Sequence, residues 1–189
     1  MDLDKAIKTR KSVRRFSTED VDWREVIKAI DVARFAPMAG NQFSLKFIFV
    51  HDEKKIKRLA EASQQDFVGK ANYVIVVVSD DSKVIRSYGE ERGKKFARQQ
   101  AGAAIQNFLL KMTELGLATC WVGFFDDYIV HDALEIPEDV VVEAMFPIGE
   151  ETKIKTLEKK KAELENYIYF NKWKQSFWEP KTVVSHKAI

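Results

Sequence analysis

The stretch Asn72-Tyr73-Val74-Ile75-Val76-Val77-Val78-Ser79, NYVIVVVS, decides the fold. From Tyr73 to Val78 every position is apolar and most are β-branched, so the run predicts a central strand, buried within a sheet. It is far too short to cross a bilayer. Moving outward, the pattern turns helical on both sides. Downstream, Asp80 to Arg92 is polar and weakly periodic and reads as a loop, of the kind that forms a lid. Lys94 to Leu115 then carries Ala97, Ala101, Ala104, Ile105, Phe108, Met112 and Leu115 on one stripe and predicts the longest helix, stopped by Gly116. Leu117–Val122 and Val140–Ile148 read as strands, with a short helix at Ile129–Leu134, and Lys155–Glu165 reads as basic, then helical. Upstream, Asp52–Ala62 is a charged amphipathic helix and Phe47–Val50 a buried strand. Trp23, Val26, Ile27, Ile30 and Ala33 give a helix that Asp20 or Asp22 can cap and that must stop near Ala36, before Pro37. Leu3, Ala6 and Ile7 form a first short helix. Helices flanking strands of mixed type predict an α+β sandwich, a mixed and mostly antiparallel sheet between helices.

The composition limits the function. Lys and Arg nearly balance Asp and Glu, for a net charge of +2, so the bulk field gives no reason to expect nucleic acid. The one cysteine, Cys120, excludes an internal disulfide framework and reads as an inert core thiol. With no apolar leader core at the start and no spanning run, the expectation is a cytoplasmic protein away from membranes. No repeat or linker divides the chain, so residues 1–170 read as a single domain. The late aromatics Tyr167, Tyr169, Phe170, Trp173, Phe177 and Trp178 lie beyond the last core strand. They either pack on their own domain or, as the density of rings favours, make residues 171–189 a tail that wraps a partner subunit.

The chain lacks the usual catalytic signatures. There is no Gly-x-Gly-x-x-Gly, no Walker loop, no nucleophile elbow and no paired-cysteine metal motif, and His51, His131 and His186 are scattered. No catalytic side chain and no metal ligand can be named, so the hard step of any reaction falls to a bound cofactor. The candidate for holding one is Thr9–Ser17, TRKSVRRFS. In an extended chain Arg10, Ser12 and Arg14 share a face, offering two guanidinium forks and a hydroxyl suited to a phosphate. Lys11 and Arg15 then turn the other way, toward solvent. The rival reading is a solvated helix end whose cations oppose the helix dipole.

Five segments in register decide between them. Arg10–Phe16 resembles the opening Arg-x-Ser-x-Arg/Lys motif of the nitroreductase family of FMN-dependent flavoproteins. Ala36-Pro37-Met38-Ala39-Gly40-Asn41 resembles its Ala-Pro-Ser-(Ala/Ser)-Gly-Asn loop, and Ala101–Leu117 with Cys120-Trp121-Val122-Gly123 its central helix and following strand. Pro147-Ile148-Gly149 matches a strand end, and Lys159-Lys160-Lys161 a second basic cluster. The resemblance implies an intertwined homodimer with one FMN at each subunit interface. Arg10, Ser12 and Arg14, with Lys11 beside them, would hold the phosphate and the N1/O2 side of the ring. Pro37, Met38, Ala39 and Asn41 would reach the flavin from the other subunit. Gln64 would bond its pyrimidine edge, Gly123 would offer a backbone N–H near N5, and Lys159 and Lys161 would complete the phosphate site. Phe124 and the Tyr88 loop would wall the substrate pocket. The implied activity is ping-pong transfer from NADH or NADPH to flavin and on to a small acceptor such as a nitroaromatic or quinone. Alternatives on the same fold are dehalogenation, flavin fragmentation, or a low-turnover flavin sensor or store. The chain departs from the pattern at Met38, where the family has serine, and at Phe43-Ser44-Leu45, where it often has Gln-Pro-Trp. Asn72 stands in place of a proline, and the second cluster has no arginine. These departures bear on substrate choice.

Overall fold

The structure, a computed structural model, describes residues 1–152 and 162–178. It divides into two units, Met1–Lys155 and Thr156–Ile189.

In the first unit, NYVIVVVS is the heart of the sheet. Strand β2 (Tyr73–Ser79) lies between β1 (Leu45–Val50) and β4 (Val141–Gly149), and the short β3 (Ala118–Thr119) borders β4 on its far side. Every ladder among the described residues is antiparallel, the antiparallel part of the expected mixed sheet. Side chains alternate across β2. Ile75 and Val77 enter a core with α2 (Trp23–Ala33) and α5 (Glu90–Glu114), while Val74, Val76 and Val78 enter a second core with α3 (Glu53–Ser63) and α6 (Asp127–Leu134). Helices therefore cover both faces, and the fold is α+β, as the sequence predicts. The first helix, α1 (Leu3–Thr9), packs against α5. Asp22 caps α2, accepting from the Arg24 N–H.

The predicted stripe on α5 is buried through Ala97, Ala101, Ala104, Ile105, Phe108 and Met112. On α2 the stripe differs. Val26, Ala29 and Ala33 are buried, whereas Trp23 and Ile27 face outward. The segment expected to be a polar loop contains a helix, α4 (Ser82–Tyr88). Its own apolar signal is weak, and its docking depends on α5. A Cβ on Gly93 would stand 2.6 Å from the Ile85 Cα, so α4 lies directly in a glycine notch.

A bulge shapes the end of β4. Val77 pairs with Ala144 but Val78 pairs with Val142, leaving Glu143 as the extra residue. The bulge points the Glu143 carboxylate at the Ser79 hydroxyl, which donates at 2.6 Å, and at Arg98 of α5, 2.5 Å away. Arg98 also pairs with buried Asp81 at the start of α4. One guanidinium thus serves two nearly buried carboxylates. Burial pushes the Glu143 carboxyl above its ordinary value, with Ser79 and Arg98 opposing the change.

In the second unit, Leu164–Asn166 is a 3-10 turn rather than the end of the expected helix. The rings of Tyr169 and Trp173 meet edge-on at 4.9 Å, and those of Phe170 and Trp178 at 5.5 Å. Lys159 and Lys161, with most of the predicted helix at Lys155–Glu165, lie outside the described residues.

Candidate functional site

The basic segment is extended and pinned to the edge of the sheet. The Val13 N–H donates to the Thr119 carbonyl at 2.9 Å, the Ser17 N–H to Glu150 at 2.8 Å, and the Thr152 N–H to Arg15 at 3.2 Å. Val13 is buried, and Phe16 covers Gly149, where a Cβ would come within 2.9 Å of the ring. Alternation then turns Arg10, Ser12 and Arg14 to the opposite side from Val13. Ser12 and Arg14 are exposed and Arg10 is half-buried. Among the described residues, no carboxylate pairs with Arg10 or Arg14. Lys11 corrects its expectation. It does not simply point to solvent, because it shares a face with Val13 and meets Glu151 at 2.7 Å as the end of β4 runs past.

The stretch after β3 lies along the same edge. Cys120 lies beneath the segment, its thiol pushed up in pKa by burial while Arg14, the Ser12 hydroxyl and Arg10 act in the opposite sense. Three residues on, Gly123 is exposed, and its N–H makes no hydrogen bond among the described residues. Val122 anchors it by exchanging both backbone hydrogen bonds with Met145 at 2.9 Å. Phe124 and Tyr128 beside it are 77% and 79% exposed, ring surface available to a flat ligand. Gln64 ends α3 in the left-handed region, with φ 53°. The Asp126 N–H, bonded to the Ala62 carbonyl at 2.9 Å, links the Gly123 loop to that helix end. Phe16 and Phe67, with ring centroids 6.4 Å apart, link the basic segment to it as well.

The Pro37–Asn41 loop lies elsewhere, against α4 and α5. Gly40 and Asn41 are both left-handed, with φ 57° and 56°. Gly40 is required there, since a Cβ would stand 2.8 Å from the Tyr88 hydroxyl oxygen. Pro37 and Asn41 are exposed, and Met38 and Ala39 are half-buried. No hydrogen bond, ion pair or ring contact of the described residues joins this loop to the basic segment. The cleft beside Arg10, lined also by Lys11, Val13, Thr119 and Glu151, has a volume of about 160 Å³. That is well below the ~300–1,000 Å³ of an ordinary small-molecule pocket. The cationic segment and the Pro37–Asn41 loop are thus two separate groups of candidate residues.

The donor set fits a flavin phosphate. Two guanidinium groups with no carboxylate partner among the described residues, Arg10 and Arg14, gather with the Ser12 hydroxyl around Cys120. No group of three metal-binding side chains occurs among the described residues. No helix among them is long and apolar enough to cross a membrane. Two residues at the site escape the sequence reading: Glu151, the partner of Lys11, and Gln100 of α5, which holds the stretch after Asn41. The available signal for Gln100 is its position among the small residues of a buried stripe.

Known proteins share both pattern and fold. The profile of the Nitroreductase family matches residues 7–67 and 61–150. A Methanothermobacter thermautotrophicus protein named "Putative NADH dehydrogenase/NAD(P)H nitroreductase" is 29% identical over 153 residues, 79% of this chain and 77% of that protein. The solved structure of a nitroreductase family protein from Clostridium novyi NT is 28% identical, with a TM-score of 0.74 over 94% of this chain and 97% of that one. The structure of an FMN-dependent nitroreductase from Clostridium difficile R20291, 22% identical, shares the fold with a TM-score of 0.74 over 89% of this chain and 98% of that one.

Proposed function

The chain belongs to the nitroreductase family, and from that premise we propose that it is an FMN-dependent oxidoreductase. It takes hydride from NADH or NADPH and passes electrons to a small acceptor such as a nitroaromatic or quinone, in a ping-pong cycle through one pocket. The observation that carries this reading is the pair of guanidinium groups, Arg10 and Arg14, that meet no carboxylate among the described residues, on a segment tied to the sheet edge through Val13 and Ser17.

FMN, when bound, supplies the two-electron carrier. The residues of this chain do the rest. Arg10 and Ser12 would grip the phosphate, with Lys159 and Lys161 completing that end. Arg14 would set a fixed positive charge at the ring edge that becomes negative on reduction, which favours the reduced state. Lys11, neutralised by Glu151, would align the segment more than it adds net charge. Gly123 would donate its backbone N–H, and Gln64 would bond the pyrimidine edge. Phe124 and Tyr88 would limit what can stack on the flavin.

The two separate groups of candidate residues support a homodimer. The Pro37–Asn41 loop of one copy would complete the cationic face of the other, enclosing an FMN at the interface. Apolar side chains left outward on α1 and α2 support the same arrangement: Leu3 is 65% exposed, Trp23 54% and Phe35, just beyond α2, 66%. The aromatic tail would add to that contact. A reducing, cytoplasmic setting agrees with a lone free thiol.

The test is direct. Purified protein is expected to be yellow, to release FMN on denaturation, and to bleach rapidly with NADH or NADPH in stopped flow, recovering with an acceptor. A colourless protein that takes up no added FMN overturns the reading. FMN that binds but is not reduced by either nucleotide marks a sensor or store instead.

A further inference from the structure

We propose that Gln100 is a positioning residue that sets the conformation of the Met38–Ser44 loop and, through it, the affinity for the flavin ring; the second part rests on the flavin reading above. Gln100 projects from the middle of α5 and is only 4% exposed. A carboxamide in such a place is costly unless both its ends are bonded. Here both ends are bonded by the loop. The Gln100 Oε1 accepts from the Ser44 N–H and from the Ser44 hydroxyl, each at 2.9 Å. The Gln100 Nε2 donates to the Gln42 carbonyl, also at 2.9 Å. Since a backbone N–H requires an acceptor and a carbonyl a donor, the partners fix which way the amide faces.

The loop needs such an anchor. Its 3-10 turn spans only Ala39–Asn41, and two successive residues in it are left-handed, an uncommon state for Asn41. Gln42 donates from Nε2 to the Ser87 hydroxyl at 2.9 Å, a second clamp from α4. The Asn41 side chain itself has no hydrogen-bond partner among the described residues and stays exposed. Gln100 therefore holds the backbone just after Asn41, at Gln42 and Ser44, while the Asn41 amide makes no hydrogen bond among the described residues and can meet a ligand.

The same geometry accounts for a departure in the sequence. Ser44 stands where the resemblance places a proline. Proline has no N–H and could not make the Ser44 backbone bond. Ser44 supplies that N–H and adds a hydroxyl, and Gln100 uses both.

The experiment compares Gln100→Met, which keeps the volume, with the parent protein. Amide hydrogen exchange of the flavin-free proteins is expected to rise in residues 39–44 and to stay unchanged in β2. FMN and riboflavin binding, followed by flavin fluorescence, are expected to weaken by the same factor, on the order of tenfold. Arg10→Ala serves as the contrast, weakening FMN and sparing riboflavin. Unchanged exchange in 39–44 overturns the proposal, as does parent-like FMN affinity. If Gln100→Met does not fold, Ser44→Ala leaves Gln100 in place and removes only the hydroxyl that donates to its Oε1. A smaller rise in exchange at the same residues then supports the proposal, and no rise overturns it. A parent protein that binds no FMN fails the flavin reading alone, and the exchange comparison still decides whether Gln100 sets the loop.

Discussion

Phe16 and Gly149 are in such close contact that no side chain can stand between them: a Cβ on Gly149 would lie 2.9 Å from three carbons of Phe16. The contact holds the cationic segment against the end of β4. Gly149→Ala is expected to cost about 1–3 kcal/mol, the usual penalty of overpacking. It should also weaken FMN binding, because Arg10–Arg14 move with Phe16. Urea unfolding and a flavin titration check the two effects, and a variant as stable as the parent would show that the ring can shift without loss.

Arg10→Ala removes a guanidinium that has no carboxylate partner among the described residues. The protein should fold as before, since no ion pair is broken. FMN should bind about ten- to a hundredfold more weakly, the range of a charge-assisted hydrogen bond. Raising the salt concentration should narrow the gap between variant and parent.

Glu143 gives the stability a pH dependence. Its carboxyl is held above the ordinary value of 4.5 mainly by burial. Between that value and the raised one, the folded state holds the proton more tightly than the unfolded chain. This group's contribution therefore favours folding at low pH and is lost as the pH rises through the folded-state value. Glu143→Gln should remove that component, so its unfolding midpoint should gain on the parent as the pH climbs. The opposite trend would mean that Arg98, and not burial, sets the protonation of Glu143.

Arg98→Met leaves Asp81 and Glu143 buried without their shared cation. Arg98 is 37% exposed, so the loss should fall below the ~3–5 kcal/mol of breaking a fully buried pair from one side. Part of this loss should be recovered by adding Glu143→Gln, which a double-mutant cycle on urea midpoints measures.

Deleting residues 171–189 removes Trp173, Phe177 and Trp178, all of them exposed. In sedimentation the shortened chain is expected to run as a monomer and to lose flavin. A flavin-loaded dimer would show that the tail has no part in the interface.

The sequence reveals elements whose burial is written in their own residues. NYVIVVVS declares a covered strand, and the alanine-rich stripe of α5 declares a close-packed helix. It does not reveal elements that depend on a distant notch. The helix α4 has Val84 buried, and its seat is Gly93, on another helix. The Glu143 bulge is equally silent, because VVEAMF reads as ordinary strand until the register with β2 is known. At the site, alternation sets Arg10, Ser12 and Arg14 apart from Lys11. It cannot supply Glu151, which only the fold brings alongside. Gln100 shares the buried stripe of α5 with Ala97 and Ala104, but its role shows only when both halves of its amide are seen to be bonded.

Cys120 is 1% exposed beneath the Arg10–Arg14 segment and is the sole thiol of the chain. A thiol reagent can reach it only when that segment lifts from the sheet, so the labelling rate is a clock for a single local opening event. If the cationic segment closes on a phosphate, millimolar FMN should slow that clock and riboflavin should leave it running. The protein thus carries, at one native position, a probe of its own ligand grip that needs neither an engineered label nor turnover.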